Sequence, residues 1–225
     1  MPRSAASQVA LLAVLLLLLG ARPAVADDVQ SWTEVEVGVL GSDRIDWTIG
    51  GVARIRDSLA SVYDRRARTD VEFTLSDVAS VTLGYILLNR ARDRFGSGFG
   101  RDHRLHAALT YPLLRRGVRI EGTTLYERHI GRRDSGDYNR YRQQVELERP
   151  AARVSPWLHQ SLAFERQGFV RSRSRVGVRW RLGSGHSFIG AYQFERRRSG
   201  AAWRPRHAVL SEWSLDLASR RTVAR

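Results

Sequence analysis

Apolar and charged residues alternate with a period of two along most of the chain, and this period predicts β-strands. In the segment from Arg171 to Leu182, written RSRSRVGVRWRL, arginines fall on one face and residues such as Val176 and Val178 on the other. Successive side chains of a strand point to opposite faces of its sheet. Each such strand therefore has one apolar face and one charged face.

The same period recurs in eleven segments, and none of them has a helical period. Their approximate ranges are 29–40, 45–56, 65–76, 78–90, 101–111, 117–129, 138–149, 153–166, 170–182, 186–198 and 205–217. Short connections alternate with longer ones, such as 57–64 and 91–100, as in barrels with short turns at one end and longer loops at the other. Because single-chain bacterial barrels have an even strand count, the segments predict an all-β, up-and-down antiparallel transmembrane β-barrel of about 12 strands, with 10 as the alternative.

A soluble barrel would show the same alternation with its faces exchanged, so strand length and composition must decide between the two. Most of the predicted strands have 11 or more residues, whereas soluble strands have about 5–6 and membrane strands need about 9–11. The apolar face also contains Gly122, Thr124 and Gly190, which is lean for a soluble core. The sequence therefore favours an outer-membrane barrel. A soluble periplasmic β-barrel binding protein is an alternative.

The first residues have the pattern of a secretory signal peptide. Arg3 precedes an unbroken apolar run from Val9 to Leu19, and Ala24-Val25-Ala26 fits the small-residue cleavage pattern. We therefore expect residues 1–26 to be a signal peptide and residues 27–225 to form a single barrel domain in the outer membrane of a Gram-negative bacterium.

Composition excludes several classes of function. The chain has no Cys and no Lys, and its 37 basic residues, all Arg, give a formal net charge of +14. A charge of this size often indicates nucleic-acid binding, but here the arginines are spread along strands and form no basic arm or recognition helix. We predict no nucleic-acid partner. The histidines lack metal-ligand spacing, so no metal and no cofactor is predicted.

If the apolar face meets lipid, the charged face lines the lumen. The predicted lumen-facing charged residues are Arg54, Arg56, Arg68, Glu72, Arg104, Arg119, Glu121, Glu127, Arg140, Arg142, Glu146, Glu148, Glu165, Arg171, Arg173, Arg175, Arg179, Arg181, Glu195 and Arg197. Two interpretations remain open. The side chains could fill the interior as a network of Arg–carboxylate pairs, or the surplus Arg could select anions along a narrow path. The first gives a structural protein and the second a small porin-like protein.

Aromatic residues near the predicted strand ends are typical of the girdles that meet membrane–water interfaces. The predicted girdle residues are Trp32, Trp47, Tyr111, Tyr126, Tyr141, Trp180 and Trp213. The expected partners of such a barrel are outer-membrane lipid, lipopolysaccharide and the general barrel-assembly machinery.

One constellation suggests an enzyme as an alternative. His159 and Ser161 lie two residues apart and so share a face, and Glu165 lies further along that face. A His-x-Ser pair with an acid loosely resembles the sites of outer-membrane lipid hydrolases and deacylases. Those families turn the pair toward lipid, whereas here it should face the lumen. The alternative function is thus an outer-membrane enzyme acting on lipid or lipopolysaccharide.

Several short motifs also resemble an uncharacterised family of bacterial proteins, a domain of unknown function expected to form outer-membrane barrels. The motifs are Trp32, Arg54, the LGY of Leu83 to Tyr85, the HRLH of His103 to His106, the LYERH of Leu125 to His129, the YNRYRQQVELE of Tyr138 to Glu148 and the FE of Phe164-Glu165. The resemblance covers nearly all of the mature chain. It implies the fold and the location, and it carries no activity, cofactor or catalytic residue.

Overall fold

A computed structural model describes residues 29–56, 61–91, 99–131, 136–149, 152–183 and 185–217. These residues form eleven strands and no helix. The strands are β1 (Val29–Gly41), β2 (Ile45–Arg56), β3 (Ser61–Ser76), β4 (Ala79–Ala91), β5 (Phe99–Arg116), β6 (Val118–Ile130), β7 (Tyr138–Glu148), β8 (Val154–Glu165), β9 (Gly168–Gly183), β10 (His186–Ser199) and β11 (Ala202–Asp216). No described segment is a helix long and apolar enough to cross a bilayer. The predicted signal peptide lies outside the described residues.

The eleven strands coincide with the eleven predicted segments, although β3 begins four residues earlier than predicted and β5 ends later. The sequence predicts a connection over 112–117, but β5 continues through Pro112 to Arg116. The ladder between β5 and β6 shifts register between Pro112 and Leu114. A bulge accommodates a residue that cannot donate a backbone hydrogen bond, so this proline interrupts the ladder without ending the strand. Only Gly117, at a φ of 68°, remains to turn the chain.

The sheet closes into a barrel in which each strand pairs with its neighbours in the chain and β1 pairs with β11. All consecutive pairs are antiparallel, whereas the β1–β11 pair is parallel, from Val29 opposite His207 to Gly38 opposite Asp216. Strands that alternate in direction leave the first and the eleventh pointing the same way, so the closing pair has to be parallel. The described chain therefore closes with eleven strands, an odd number that lies between the predicted 10 and 12.

The outer face of the barrel is apolar and the inner face is charged, which is the reverse of a soluble barrel. Large apolar side chains stay exposed in the middle of strands, including Leu83 at 52%, Leu105 at 51% and Val209 at 57%. Charged side chains are buried inside, with Asp64 at 0% and Glu127 at 1% exposed. Such an apolar belt is what a lipid-facing surface requires.

Several polar side chains on the outer face are hydrogen-bonded between strands. The Trp47 indole donates to the Thr69 hydroxyl at 2.8 Å. The Gln143 amide accepts from the Thr124 hydroxyl at 2.9 Å and donates to the Tyr111 hydroxyl at 3.0 Å. These bonds satisfy groups that would otherwise be costly in an apolar medium.

The interior also contains a small apolar cluster that the sequence analysis did not foresee. Its members are Trp32, Trp157, Ile189, Ala191, Ala208 and Leu210. They come from β1, β8, β10 and β11, and each is at most 7% exposed. The cluster fills one side of the barrel interior and leaves the rest to charged side chains.

Candidate functional site: the charged lumen

The barrel interior contains a cavity of about 540 Å³ whose walls are dominated by arginine. The arginines that line it are Arg54, Arg56, Arg66, Arg68, Arg90, Arg104, Arg140, Arg142, Arg171, Arg173, Arg175, Arg197 and Arg206. The carboxylates that line it are Glu34, Glu36, Asp64, Asp70, Asp102, Glu127, Glu146, Glu195 and Glu212. Thirteen guanidinium groups thus face nine carboxylates, and the wall carries a positive surplus.

Three buried carboxylates each contact three arginines, and we call these groups the carboxylate clusters. The first cluster is centred on Asp64. Arg66 donates to both carboxylate oxygens at 2.8 Å, one from Nε and one from Nη2. Arg90 reaches the same carboxylate at 3.1 Å, and Arg54 lies 3.7 Å away. These residues come from β2, β3 and β4, so the cluster joins three consecutive strands.

Glu127 on β6 is the centre of the second carboxylate cluster. Arg142 donates to both of its oxygens at 2.8 Å, Arg104 lies at 3.0 Å and Arg140 at 3.6 Å. The carboxylate side chain is 2% exposed. His129 Nε2 lies 3.6 Å from the same group. β5 and β7 are therefore both fastened to the strand between them.

Glu148 at the end of β7 is the centre of the third carboxylate cluster. Arg119 of β6 contacts it at 2.6 Å and Arg181 of β9 at 3.2 Å. Arg179, also on β9, donates a further hydrogen bond to its Oε2. Because β8 lies between β7 and β9, this cluster reaches across a strand rather than to a neighbour.

One arginine shows the opposite arrangement. Arg68 lies 2.7 Å from each of three carboxylates, those of Glu34, Glu36 and Asp70. It has two acids of β1 on one side and one of its own strand on the other. Negative charge in the lumen is thus concentrated beside β1, whereas positive charge prevails around Asp64 and Glu127.

Three arginines of the cavity wall differ from all of these. Arg171, Arg197 and Arg206 form no side-chain hydrogen bond and no ion pair within the part of the chain that the structure describes. Arg171 Nη2 is fully buried and has no hydrogen-bond partner there. We call these three residues the unpaired arginines. Arg175 is intermediate, because its Nε donates to the Gln193 amide at 2.9 Å and no carboxylate contacts it among the described residues.

Trp32 corrects one prediction. Its position near a strand end predicts a girdle residue, but Trp32 is 2% exposed and lies inside the barrel. Its indole donates to Gln30 at 3.2 Å, and the Arg54 guanidinium lies 3.6 Å from its ring centroid. Position 32 has the same parity as the lumen-facing Glu34, so the alternation itself indicates the inner face.

The other predicted girdle residues lie on the outer face. Tyr126 and Tyr141 are 49% and 43% exposed and lie toward the long-loop end of β6 and β7. At the short-turn end, Trp47, Trp180 and Trp213 are 36–41% exposed, and Tyr111 hydrogen-bonds across the outer face to Gln143. Aromatic side chains therefore flank the apolar belt at both of its ends.

The candidate catalytic residues are not joined to one another. His159 stacks on Trp157 with ring centroids 5.8 Å apart, and its Nδ1 is buried without a hydrogen-bond partner among the described residues. Ser161 is 3% exposed. Glu165 accepts hydrogen bonds from Arg140 at 2.6 and 3.0 Å. Within the described residues, no group of three or more His, Asp or Glu side chains could hold a metal ion.

The predicted lumen residues number twenty, and most of them line cavities inside the barrel. Thirteen of them line the main cavity, and Glu72 and Glu121 line a smaller cavity at the short-turn end. The remaining five join through ion pairs: Arg119, Glu148, Arg179 and Arg181 in the third carboxylate cluster, and Glu165 with Arg140.

Sequence analysis missed Asp64, because the predicted connection over 57–64 hides the first residues of β3. It also missed Glu34 and Arg206. Their parity along β1 and β11 would have indicated the inner face.

Comparison with known proteins supports the fold. No protein-family model and no curated protein sequence matches the chain. Among solved structures, it is similar to the NanC porin in a rhombohedral crystal form, with a TM-score of 0.50 and 9% sequence identity. The similarity covers 74% of this chain and 86% of the porin chain. At this identity the likeness shows a porin-like barrel fold alone.

Proposed function

We propose that this protein is a narrow outer-membrane pore that prefers anions. The observation that carries the proposal is the surplus of arginine in the cavity wall, with thirteen arginines against nine carboxylates. Rings of positive side chains around a constriction select negative solutes. The Asp64 cluster contributes to this surplus, since it lines the cavity with three guanidinium groups around one carboxylate.

A membrane location is supported by the outer face. An apolar belt with aromatic residues at both ends and internally bonded polar groups is suited to a bilayer and would be unfavourable in water. A porin-like fold is consistent with this location, as is the predicted signal peptide over 1–26. We extend the proposal to membership of the uncharacterised outer-membrane barrel family that the sequence resembles.

The proposed partners follow from the outer face and from the fold. Arg65, Arg101 and Arg196 are exposed at the long-loop end, on the outer face. Guanidinium groups at the long-loop end of the outer face are suited to the phosphates of lipopolysaccharide, because Arg binds phosphate in a bidentate manner. Insertion would use the general barrel-assembly machinery.

The proposal is tested by planar-bilayer recordings of mature protein refolded in detergent, using only material that shows the folded gel shift. Under a salt gradient we expect steady conductance and a reversal potential on the anion-selective side. Arg175→Gln should reduce the anion preference, because this arginine faces the cavity without a carboxylate contact among the described residues. Arg65→Gln removes the same charge from the outer face and should leave the preference unchanged.

Folded protein that stays silent, or that prefers cations, would overturn the proposal. Silence would favour a lumen closed by Arg–carboxylate pairs, with a structural role in the envelope.

A further inference from the structure

The unpaired arginines lie on three consecutive strands, at opposite or nearby positions of the sheet register. Arg171 of β9 lies directly opposite Arg197 of β10 in the sheet register. Arg206 of β11 lies opposite Glu195, the residue two positions before Arg197 on β10. All three arginines line the main cavity. Arg197 is within electrostatic range of Arg206, and Arg171 within range of Arg173.

The carboxylate nearest to them in the sheet register already forms an ion pair with another arginine. Glu195 accepts hydrogen bonds from Arg173 at 2.6 and 3.0 Å, and both side chains are under 10% exposed. Glu195 contacts none of the unpaired arginines among the described residues, although its charge acts on Arg171 and Arg197 from a distance. One carboxylate shared with Arg173 leaves this group of arginines with a surplus of positive charge.

Two arginines opposite each other on neighbouring strands are unfavourable unless something compensates their charge. Like charges at directly opposite positions destabilise a sheet, and a buried guanidinium group without a partner is costlier still. Elsewhere in the described lumen, this chain supplies carboxylates to most of its arginines. The exception at Arg171, Arg197 and Arg206 is therefore suited to a ligand that brings the negative charge.

We infer that the unpaired arginines form a binding site for a multiply charged oxyanion group of the phosphate type on a soluble molecule. A guanidinium group presents paired donors that match phosphate or carboxylate oxygens in planar, bidentate contacts. Three positive charges with no carboxylate partner favour a dianion over a monoanion. The inference rests on the proposed function in one respect, because the cavity must be open to aqueous solutes.

The site is tested by calorimetric titration of inorganic phosphate into detergent-folded protein, at constant ionic strength and mildly alkaline pH. We expect saturable binding of phosphate and sulfate, and much weaker binding of nitrate, a planar monoanion. Arg171→Gln/Arg197→Gln should weaken phosphate binding by about tenfold or more, because hydrogen bonds to charged groups are lost. Arg206→Gln should weaken it as well and serves as an independent variant if the double variant does not fold.

The matched control is Arg90→Gln/Arg104→Gln, which removes two lumen charges that belong to carboxylate clusters. Asp64 keeps Arg66 and Glu127 keeps Arg142 in this variant, so folding and phosphate affinity should be retained. Equal weakening in both double variants would overturn the site, because it would show a response to overall charge. Phosphate that binds without saturation, as an adventitious ion only, would overturn it too.

Two further results distinguish a failure of the phosphate site from a failure of the proposed pore. Saturable phosphate binding by protein that does not conduct would overturn the pore and retain the site. Anion-selective conductance without saturable binding would overturn the site and retain the pore. Purified lipopolysaccharide should not displace bound phosphate, because its own phosphates stay at the membrane surface; displacement would overturn the soluble source of the ligand.

Discussion

Arginine side chains in this lumen fall into two groups, those of the carboxylate clusters and the unpaired arginines. In each cluster one buried carboxylate binds three arginines from two or three strands, as Glu127 does with Arg104, Arg140 and Arg142. On β9, β10 and β11, Arg171 and Arg197 face each other with no carboxylate in contact among the described residues. The difference lies in the partners supplied by neighbouring strands and not in the arginines themselves.

This difference separates a structural role from a binding role within one charged surface. Arginines whose charge is compensated within the protein hold strands together, and their removal should weaken the fold. Arginines without a compensating group cost stability, and their removal should weaken binding while leaving the fold intact or strengthening it. Opposite signs of the effect on stability therefore distinguish the two groups.

The largest effect on stability is expected from removing the centre of a carboxylate cluster. Glu127→Gln leaves the buried Arg104 and Arg142 without a carboxylate, whereas Arg140 keeps Glu165. Breaking a buried ion pair from one side costs about 3–5 kcal/mol. We expect a loss of this size in the free energy of unfolding, measured by urea titration in detergent. Glu121→Gln is the control, because its partner Arg119 lies 3.6 Å away and both side chains are over 25% exposed.

A loss for Glu127→Gln no larger than that for Glu121→Gln would show that the cluster does not hold β5, β6 and β7 together. The distinction between paired and unpaired arginines would then have no consequence for stability.

An intermediate effect is expected from removing one arginine of the same cluster. Arg142→Ala deletes two hydrogen bonds of 2.8 Å to Glu127, while Arg104 still contacts that carboxylate at 3.0 Å. Hydrogen bonds to charged groups contribute about 1.5–3 kcal/mol, so a lower unfolding temperature in detergent should follow. Arg101→Ala, which truncates an exposed arginine of the outer face, is the control and should melt like the parent protein. An unchanged melt for Arg142→Ala would mean that this arginine is available to solutes.

Much of the fold follows from the sequence because a period of two is a local signal. The eleven segments were recognisable because each strand has 11 or more residues and most of them alternate apolar with polar or charged residues. The alternation along a strand also indicates which residues face the lumen. Applied to β1, it places Trp32 on the inner face together with Glu34. Aromatic character near a strand end was the weaker signal, and it gave the wrong face.

Closure and charge pairing were not predictable in the same way, since both depend on contacts between strands. Whether β1 meets β11 in parallel is decided by the number of strands that the barrel accommodates, not by any residue of β1. Glu148 contacts Arg179 across an intervening strand, and no sequence pattern indicates that spacing. The unpaired state of Arg171 likewise becomes visible only once the neighbours of every lumen arginine are known.

The smallest effect has the opposite sign and tests the unpaired arginines most directly. Arg171→Gln removes one of two like charges that face each other across β9 and β10, a repulsion worth about 0.2–1 kcal/mol. We expect the variant to be slightly more stable than the parent protein in dilute buffer without phosphate.

Salt screens charge repulsion, so the gain in stability should shrink as sodium chloride is added. Phosphate should also remove the gain, because it stabilises the parent protein by binding to Arg171 and Arg197. A loss of stability in Arg171→Gln, under every condition, would show that this arginine has a partner within the protein and belongs with the carboxylate clusters.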